Sequence, residues 1–204
     1  MSKFSTIVNF SPAVKSACAF VLKKSLSNSA AYHNFYHIMV VAEGCLEASE
    51  YYNFSKEDTE NILIAALFHD FSHSMGKEKD DVNIKVAIDG LILWADKNKC
   101  NYEIIRNIIK ATEYPYKIES SELSIRQQII RDADLRMCLC ENYIQQIIFG
   151  LGAEMKKTTQ EMIDGQIGFL SNIKPATEWF EKEWSERKSG LLEELRLLSE
   201  TYSL

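Results

Sequence analysis

The apolar run at residues 61–68 constrains the fold of this chain more than any other stretch. It reads Asn-Ile-Leu-Ile-Ala-Ala-Leu-Phe, and Ser55 with Asp58 three residues later precedes it in the pattern of a helix N-cap. A helix that is apolar on nearly every side has to be buried on every side. We therefore predict a central, buried helix that ends at His69-Asp70.

Helical patterns also dominate the rest of the chain. Only 3 prolines and 8 glycines interrupt its 204 residues, of which 46% are hydrophobic. We predict an all-α fold, a compact single-domain bundle of about eight or nine helices that spans residues 1–204, with 1–10 as a loosely ordered lead-in. The predicted helices cover residues 12–26, 36–51, 56–68, 81–98, 102–112 with Asn101 as cap, 124–140, 142–157, 159–173 and 176–201.

Charge, cysteine content and hydropathy limit the partners and the location. The net charge is −6 and there is no long basic run, so binding to a nucleic-acid polymer is not expected. The 5 cysteines show no zinc-finger spacing, and with no signal peptide in view they predict free thiols in the cytoplasm. No apolar run reaches the length of a membrane span. The oligomeric state stays open.

All 4 histidines of the chain fall in two short stretches. Residues 32–37 read Tyr-His-Asn-Phe-Tyr-His and residues 69–73 read His-Asp-Phe-Ser-His. Within each stretch the two histidines are four residues apart, which places both rings on one face of a helix. A histidine followed directly by an aspartate offers a neutral nitrogen beside an anionic oxygen, a donor set that suits zinc and equally iron or manganese. The pattern predicts a metal site.

A further carboxylate would complete a site with four protein ligands. The segment Arg131-Asp-Ala-Asp-Leu135 lies in an otherwise apolar predicted helix, where an unpaired carboxylate is costly to bury. Asp134 is the preferred candidate, and Asp132 is the alternative.

Three segments carry a family resemblance. Residues 32–37, 69–73 and 133–135, the last reading Ala-Asp-Leu, resemble in this order the motifs of the HD superfamily of metal-dependent phosphohydrolases. The resemblance is closer to the 3′,5′-cyclic nucleotide phosphodiesterases within that superfamily. It implies an HD or phosphodiesterase type of helical bundle.

The same resemblance implies roles at the metal site. Zinc, or iron or manganese in its place, would be held by His37, His69, Asp70 and Asp134. Asp70 would also reach a second, more weakly held Mg²⁺ or Mn²⁺, and water activated between the metals would attack phosphorus. His33 would protonate the departing oxygen, and His73 would hydrogen-bond to water of the metal site.

Downstream residues extend the resemblance to a substrate pocket. Gln166 and Phe169 match a glutamine and a phenylalanine that bind the purine, and they share one helical face. Tyr32 and Thr112 are also assigned to substrate binding, Thr112 because residues 110–113 resemble a pocket-lining Ala-Thr-Asp stretch. Glu154 lies about where the family places a carboxylate that orients the catalytic histidine.

The chain departs from the phosphodiesterase pattern in ways that concern the pocket. The intervals from Asp70 to Asp134 and from Asp134 to Gln166 are short, and Arg136-Met137 replaces an Asn-Pro pair. We therefore expect a phosphodiesterase with trimmed pocket walls that hydrolyses a small-molecule substrate, either a 3′,5′-cyclic mononucleotide or a cyclic dinucleotide. One alternative is a nucleotide or sugar phosphomonoesterase of the HD class, and a second is a non-catalytic nucleotide-binding module.

Overall fold

The computed structural model of the protein describes residues 3–98 and 102–202, and these residues confirm the predicted all-α fold. Within them there is no strand, and the chain forms ten α-helices. In chain order these are α1 Lys3–Val8, α2 Pro12–Lys24, α3 Phe35–Tyr51, α4 Lys56–Phe68, α5 Asp80–Asn98, α6 Glu103–Ile109, α7 Ile125–Asp134, α8 Gly152–Met155, α9 Thr159–Ser171 and α10 Glu178–Tyr202. The predicted cap Asn101 lies outside the described residues.

Helix α4 is the central helix that its composition predicts. Residues 62–68 are each at most 1% exposed, and α4 packs against α2, α3 and α6. The Ser55 hydroxyl accepts a hydrogen bond from the Asp58 N–H at 3.1 Å, which satisfies one of the unpaired donors at the start of the helix. His69 follows the last turn, so the buried helix holds the His-Asp pair on a rigid support.

The first residues differ from the loosely ordered lead-in that we predicted. Helix α1 packs against α2 and α3, and the Ile7 side chain is fully buried. Lys3 forms an ion pair with Glu47 on α3 at 2.5 Å. Burying an isoleucine side chain stabilises the folded state by about 1.5–3 kcal/mol. The segment is too short for its sequence pattern to predict this burial.

Helix α3 begins beside the first histidine stretch. The Asn34 side chain accepts hydrogen bonds from the N–H groups of Tyr36 at 2.8 Å and His37 at 3.2 Å. This cap fixes the first turn of α3, on which His37 lies. Since α3 packs against both α4 and α7, His37 is brought to the level of the two predicted aspartate ligands.

The second half of the chain contains less regular helix than predicted. The helix predicted at residues 124–140 ends at Asp134 and continues as a 3₁₀-helix over Leu135–Leu139. The segment predicted at 142–157 is a π-helix over Ile144–Leu151 that leads into α8. Shorter 3₁₀ turns cover Leu26–Ser29, Lys110–Thr112 and Ser120–Glu122.

The described cysteines are free thiols, as predicted, and Cys100 lies outside the described residues. None of the helices described for this chain combines the length and the apolar character that crossing a membrane requires.

Candidate active site

Four side chains converge where the end of α4 meets α3 and α7. His37 Nε2 lies 3.1 Å from Asp134 Oδ1 and 3.3 Å from Asp70 Oδ2. His69 Nε2 lies 3.2 Å from Asp70 Oδ2, 3.5 Å from Asp134 Oδ1 and 3.3 Å from His37 Nε2. The structure therefore brings together the two histidines and two aspartates that the sequence assigned to one metal ion.

The spacing of these four atoms fits a metal site. A tetrahedral zinc site with metal–ligand distances of about 2.0–2.1 Å has ligand–ligand separations of about 3.3–3.4 Å. The separations that involve His37 or His69, 3.1–3.5 Å, bracket that value, and the donor atoms of His37, His69 and Asp70 all lie within 4.8 Å of one another. His69 Nδ1 faces the Ala66 carbonyl oxygen at 2.7 Å, so Nδ1 carries the hydrogen and Nε2 offers its lone pair to the site.

Two buried polar atoms in this group have no hydrogen-bond partner among the described residues. They are His37 Nδ1 and Asp70 Oδ2, the latter lying 3.2–3.3 Å from the Nε2 atoms of His69 and His37 without the geometry of a hydrogen bond. An unpaired buried carboxylate oxygen is costly, and a divalent cation at the centre of the cluster would satisfy it. The group of His37, His69 and Asp70 and its unpaired oxygen thus agree with a bound metal ion. Asp134, whose Oδ1 lies 3.1 Å from His37 Nε2, is placed to be the fourth ligand.

The electrostatics of the metal-free cluster show how strongly these groups interact. Burial lowers the pKa values of His37 and His69, but the adjacent carboxylates Asp134 and Asp70 outweigh it and raise both pKa values above the ordinary range. Burial raises the pKa values of Asp70 and Asp134, but the two histidines outweigh it and lower both. Negative charge on the carboxylates is therefore stabilised, which is the form in which they bind a cation.

Asp132, the alternative fourth ligand, has a different role in the structure. Its carboxylate accepts hydrogen bonds from the N–H of Ala176 at 3.0 Å, the N–H of Thr177 at 2.8 Å and the Thr177 hydroxyl at 2.6 Å. These contacts anchor the start of α10 to α7. Asp132 is therefore not part of the donor cluster, because a residue two positions from Asp134 on a helix points to a different side.

His33 lies beside the metal cluster and is held by Glu154. His33 Nδ1 is 2.5 Å from Glu154 Oε2, and the N–H groups of Tyr32 and His33 donate to Glu154 Oε1 at 2.6 and 3.1 Å. Burial raises the pKa of Glu154, but its bonds to His33 and these N–H groups lower it overall, so the carboxylate is ionised. The His33 ring centroid is 6.1 Å from that of His37, so His33 lies next to a ligand.

His73 stacks on His33, with ring centroids 3.7 Å apart and planes inclined by 22°. Its Nδ1 accepts a hydrogen bond from the Met75 N–H at 3.1 Å, and Asn83 Nδ2 lies 2.9 Å from Nε2. Burial lowers the pKa of His73 to about 4, so this ring is neutral at neutral pH. A neutral His73 ring therefore packs against His33 without placing a positive charge beside it.

His33, His73 and Glu154 also form a second group of possible metal ligands. The stacking of the two rings argues against that use, because nitrogen lone pairs lie in the ring planes and those planes are nearly parallel. The contact of 2.5 Å between His33 and Glu154 also occupies one nitrogen and the carboxylate.

A cavity of about 530 Å³ opens onto Asp134, His33 and Glu154. Tyr32, Gln166 and Phe169 line it as well. The Tyr143 hydroxyl donates to Gln166 Oε1 at 2.6 Å, and the rings of Tyr114 and Phe169 meet edge to face at 6.4 Å. This volume is in the usual range for small-molecule sites.

Thr112 is the predicted substrate-binding residue that the structure does not bring to the site. The described residues that line the cavity do not include it, and its buried hydroxyl donates to the Ile109 carbonyl at 2.9 Å. The reason is that residues 110–112 form a 3₁₀ turn whose polar groups close the end of α6.

Several cavity residues were missed from the sequence. Asp80 and Asn83 lie beside His73, and Asp80 Oδ2 accepts a hydrogen bond from the Tyr114 N–H at 2.6 Å. Tyr143 also lines the cavity, next to Gln166. The sequence offers two signals for these residues, namely the acidic pair Asp80-Asp81 at the start of α5 and the Tyr-Pro-Tyr segment at 114–116.

Comparison with known proteins agrees with this geometry. The family model described as the HD domain matches residues 34–136, half of the chain, and the match includes His37, His69, Asp70 and Asp134. No curated protein matches the chain. With the four matched donors meeting around one point, the chain belongs to the HD-domain family of metal-dependent phosphohydrolases.

Proposed function

We propose that the protein is a metal-dependent phosphodiesterase that hydrolyses a cyclic nucleotide. The observation that carries the proposal is a single cavity that is lined by the metal ligand Asp134, by the His33–Glu154 pair, and by Gln166 with Phe169. These are the parts that such a reaction needs: a cation site, a proton donor, and a surface for a base. The substrate is accordingly a small-molecule nucleotide.

The cation site is supplied by His37, His69, Asp70 and Asp134. Two nitrogen and two oxygen donors suit zinc, iron or manganese, and we assign Mg²⁺ or Mn²⁺ to a second position beside Asp70. A bound divalent cation supplies positive charge that lowers the pKa of water and neutralises charge on the phosphoryl oxygens. The side chain of Asp134 is 28% exposed and that of His37 is 1% exposed. The cluster is therefore accessible from the side of Asp134, which faces the cavity.

His33 is assigned to proton donation. An alkoxide is a poor leaving group and has to be protonated as the ester bond breaks. Because Glu154 holds the Nδ1 side of the ring, Nε2 is the nitrogen that is left to carry a proton to the departing oxygen. Glu154 fixes the orientation of the His33 ring, because one carboxylate oxygen contacts Nδ1 and the other accepts from two backbone N–H groups.

We assign Gln166 and Phe169 to binding the nucleotide base, and Tyr32 to binding the part of the substrate that lies beside His33. The Phe169 ring is 37% exposed, so it has a face that is free to stack on a base. The Tyr143 hydroxyl occupies the Gln166 amide oxygen, which leaves the amide NH₂ to donate to an acceptor on the base edge. Tyr32 is buried and its ring is 4.8 Å from that of His33.

A hydrolysis panel tests the proposal. Purified protein is assayed with Mg²⁺, Mn²⁺ or Zn²⁺ against 3′,5′-cyclic mononucleotides, cyclic dinucleotides and linear nucleoside and sugar monophosphates, with products identified by chromatography. We expect ring opening of a cyclic nucleotide and little release of phosphate from the linear compounds. Hydrolysis of the linear monophosphates alone would replace the proposal by a phosphomonoesterase, and bound metal without any turnover would indicate a binding module.

A further inference from the structure

A second cavity, of about 610 Å³, adjoins the candidate active site. The two cavities share the lining residues Tyr114, Tyr116, Leu135 and Phe169. A ligand that stacks on Phe169 therefore lies at the boundary between them. The second cavity extends along α7 to Arg131, three residues before Asp134, a rise of about 4.5 Å along the helix.

Arg131 brings a buried positive charge to this second cavity. The residue is 4% exposed, and its guanidinium lies 4.1 Å from the centroid of the Tyr116 ring, which is in the wall between the cavities. Its Nε donates to the Ala111 carbonyl at 2.6 Å and one terminal nitrogen donates to the Ile118 carbonyl at 2.8 Å. A guanidinium has five N–H groups, so these two bonds leave donors for another acceptor.

Arg131 forms no direct ion pair with a carboxylate among residues 3–98 and 102–202, although the charges of Glu119 and Asp132, which also line the cavity, act on it. The nearest acid in sequence, Asp132, directs its carboxylate to Ala176 and Thr177 at the start of α10. Glu119 lines the same cavity but forms no ion pair with Arg131 in the described structure. A buried charge without a counter-ion is costly, and an anionic ligand would offset that cost.

Lys174 adds a second positive charge at the same cavity, and it is exposed. A planar guanidinium and a nearby ammonium are a common combination for binding phosphate. In the proposed function, the metal site beside Asp134 binds one phosphate in the adjoining cavity. We propose that the cavity at Arg131 and Lys174 is a subsite for a second phosphate of the nucleotide substrate; this rests on the proposed function.

The test compares two nucleotides that differ by one phosphate. Calorimetric titrations measure the binding of adenosine 5′-monophosphate and adenosine 3′,5′-bisphosphate, with EDTA to prevent turnover and again with Mn²⁺. We expect the bisphosphate to bind the wild-type protein about tenfold more tightly or better. Lys174→Ala and Arg131→Lys should bring the ratio of the two dissociation constants close to one. Glu119→Gln should keep or increase the preference for the bisphosphate.

The control variant is Lys182→Ala, which removes an exposed lysine from α10 outside both cavities and should leave the ratio unchanged. Arg131→Lys also removes hydrogen bonds to two carbonyl groups, so its folding is checked by far-ultraviolet circular dichroism against the wild type. If Arg131→Lys unfolds, the binding data for Lys174→Ala and Glu119→Gln test the subsite instead. Equal binding of the two nucleotides in the wild type, or no effect of Lys174→Ala, would overturn the subsite.

Two further probes identify the source of the phosphate. Cyclic di-AMP should bind with the same dependence on Lys174, since it carries two phosphates in one molecule. If inorganic phosphate alone shows that dependence and the bisphosphate gains nothing, the cavity binds free phosphate and the proposal is wrong. If the protein cleaves cyclic mononucleotides but shows no preference for the bisphosphate, the proposed function stands and the subsite is wrong. If it prefers the bisphosphate but cleaves no cyclic nucleotide, the subsite stands and the proposed function is wrong.

Discussion

Asp132 and Asp134 show how two identical side chains on one helix acquire different roles. Asp134 approaches His37 and His69, whereas Asp132 accepts three hydrogen bonds from the start of α10. A helix turns by about 200° over two residues, so the two carboxylates face different neighbours. Asp134 therefore belongs to the candidate metal site, and Asp132 ties α7 to the start of α10.

Exchanging each aspartate for asparagine should separate these roles. Asp134→Asn should lower bound metal and abolish hydrolysis while the helical content is kept, since it removes an anionic ligand. Asp132→Asn should retain metal but lower the free energy of unfolding by about 1–2 kcal/mol, because it weakens a helix cap. Metal analysis and urea denaturation of both variants are the measurements. Full metal content in Asp134→Asn would contradict the assignment, and Asp70→Ala should behave as Asp134→Asn does.

A proton donor can be recognised by its dependence on the leaving group. His33→Ala should keep its metal but lose roughly 10²–10⁴-fold in rate on a cyclic nucleotide. On a nitrophenyl phosphodiester, whose leaving group needs no proton, the loss should be much smaller. Glu154→Gln should show the same pattern with a smaller loss, because it acts through His33. Equal losses on both substrates would show that His33 positions the substrate instead.

His73, whose ring stacks on that of His33, provides a comparison for the His33 prediction. Its ring is neutral and buried against His33, so it supports the site without exchanging a proton. We expect His73→Ala to reduce the rate by on the order of 10–100-fold with both leaving groups alike. A loss confined to the nucleotide substrate would instead assign His73 a part in proton transfer.

At the scale of the elements, the packing of α5 supports the metal-binding segment. Gly90 on α5 lies directly against the ring of Phe71, which follows Asp70 in the chain. A Cβ atom added at Gly90 would be 2.3 Å from Phe71 Cδ1, closer than any van der Waals contact allows. The absence of a side chain at this position therefore lets α5 approach the end of α4.

Gly90→Ala should consequently destabilise the protein by about 1–3 kcal/mol and weaken metal binding, because Phe71 has to move and carries Asp70 with it. The matched control is Gly190→Ala on α10, where the nearest atom is 3.8 Å away. That change should be neutral or stabilising by about 0.5–1 kcal/mol, since alanine is the better helix former. Thermal unfolding and metal titration measure both; a stabilised Gly90→Ala protein would contradict the packing argument.

At the scale of the whole molecule, the metal centre joins α3, the end of α4 and α7 at one point. A ligand that binds only the folded state raises the free energy of unfolding. The increase grows with the logarithm of the ratio of the ligand concentration to the dissociation constant. Metal at 100 times that constant should add about 2.7 kcal/mol to the free energy of unfolding, and a chelator should remove it. An unchanged melting temperature on chelation would exclude a metal that binds only the folded protein.

This stabilisation should depend on pH in a defined direction. In the metal-free protein the pKa values of His37 and His69 are raised, so their contribution to stability is present below about pH 6.5 and is lost as the pH rises through the higher folded-state values. Metal binding needs both rings neutral, so its stabilising effect should increase over the same range. Melting temperatures with and without Zn²⁺ should therefore differ more at pH 8 than at pH 6; a smaller difference at pH 8 would contradict this competition between protons and metal.

Local patterns in the sequence predicted most of the α-helices and a cluster of histidine and aspartate side chains. The apolar run at 61–68 predicted the buried helix α4, and the spacing of the histidines predicted a metal site, because both depend on residues within a few turns of each other. The same local patterns failed at Ile7, whose burial depends on α3, and at Leu135, where the predicted helix gives way to a 3₁₀ turn.

Tertiary structure decided which of these residues meet. The contact of His37 with Asp134 joins residues 97 positions apart, and that of Tyr32 with Glu154 joins residues 122 positions apart. Such pairs depend on how α3 packs against α7 and on how the segment before α3 meets α8, which helix periodicity does not specify. The choice of Asp134 over Asp132, the exclusion of Thr112 from the cavity, and the second cavity at Arg131 all follow from that packing. Local sequence thus predicts most of the helices and the types of donor side chain, whereas long-range packing brings those side chains together, because it depends on contacts between residues about a hundred positions apart.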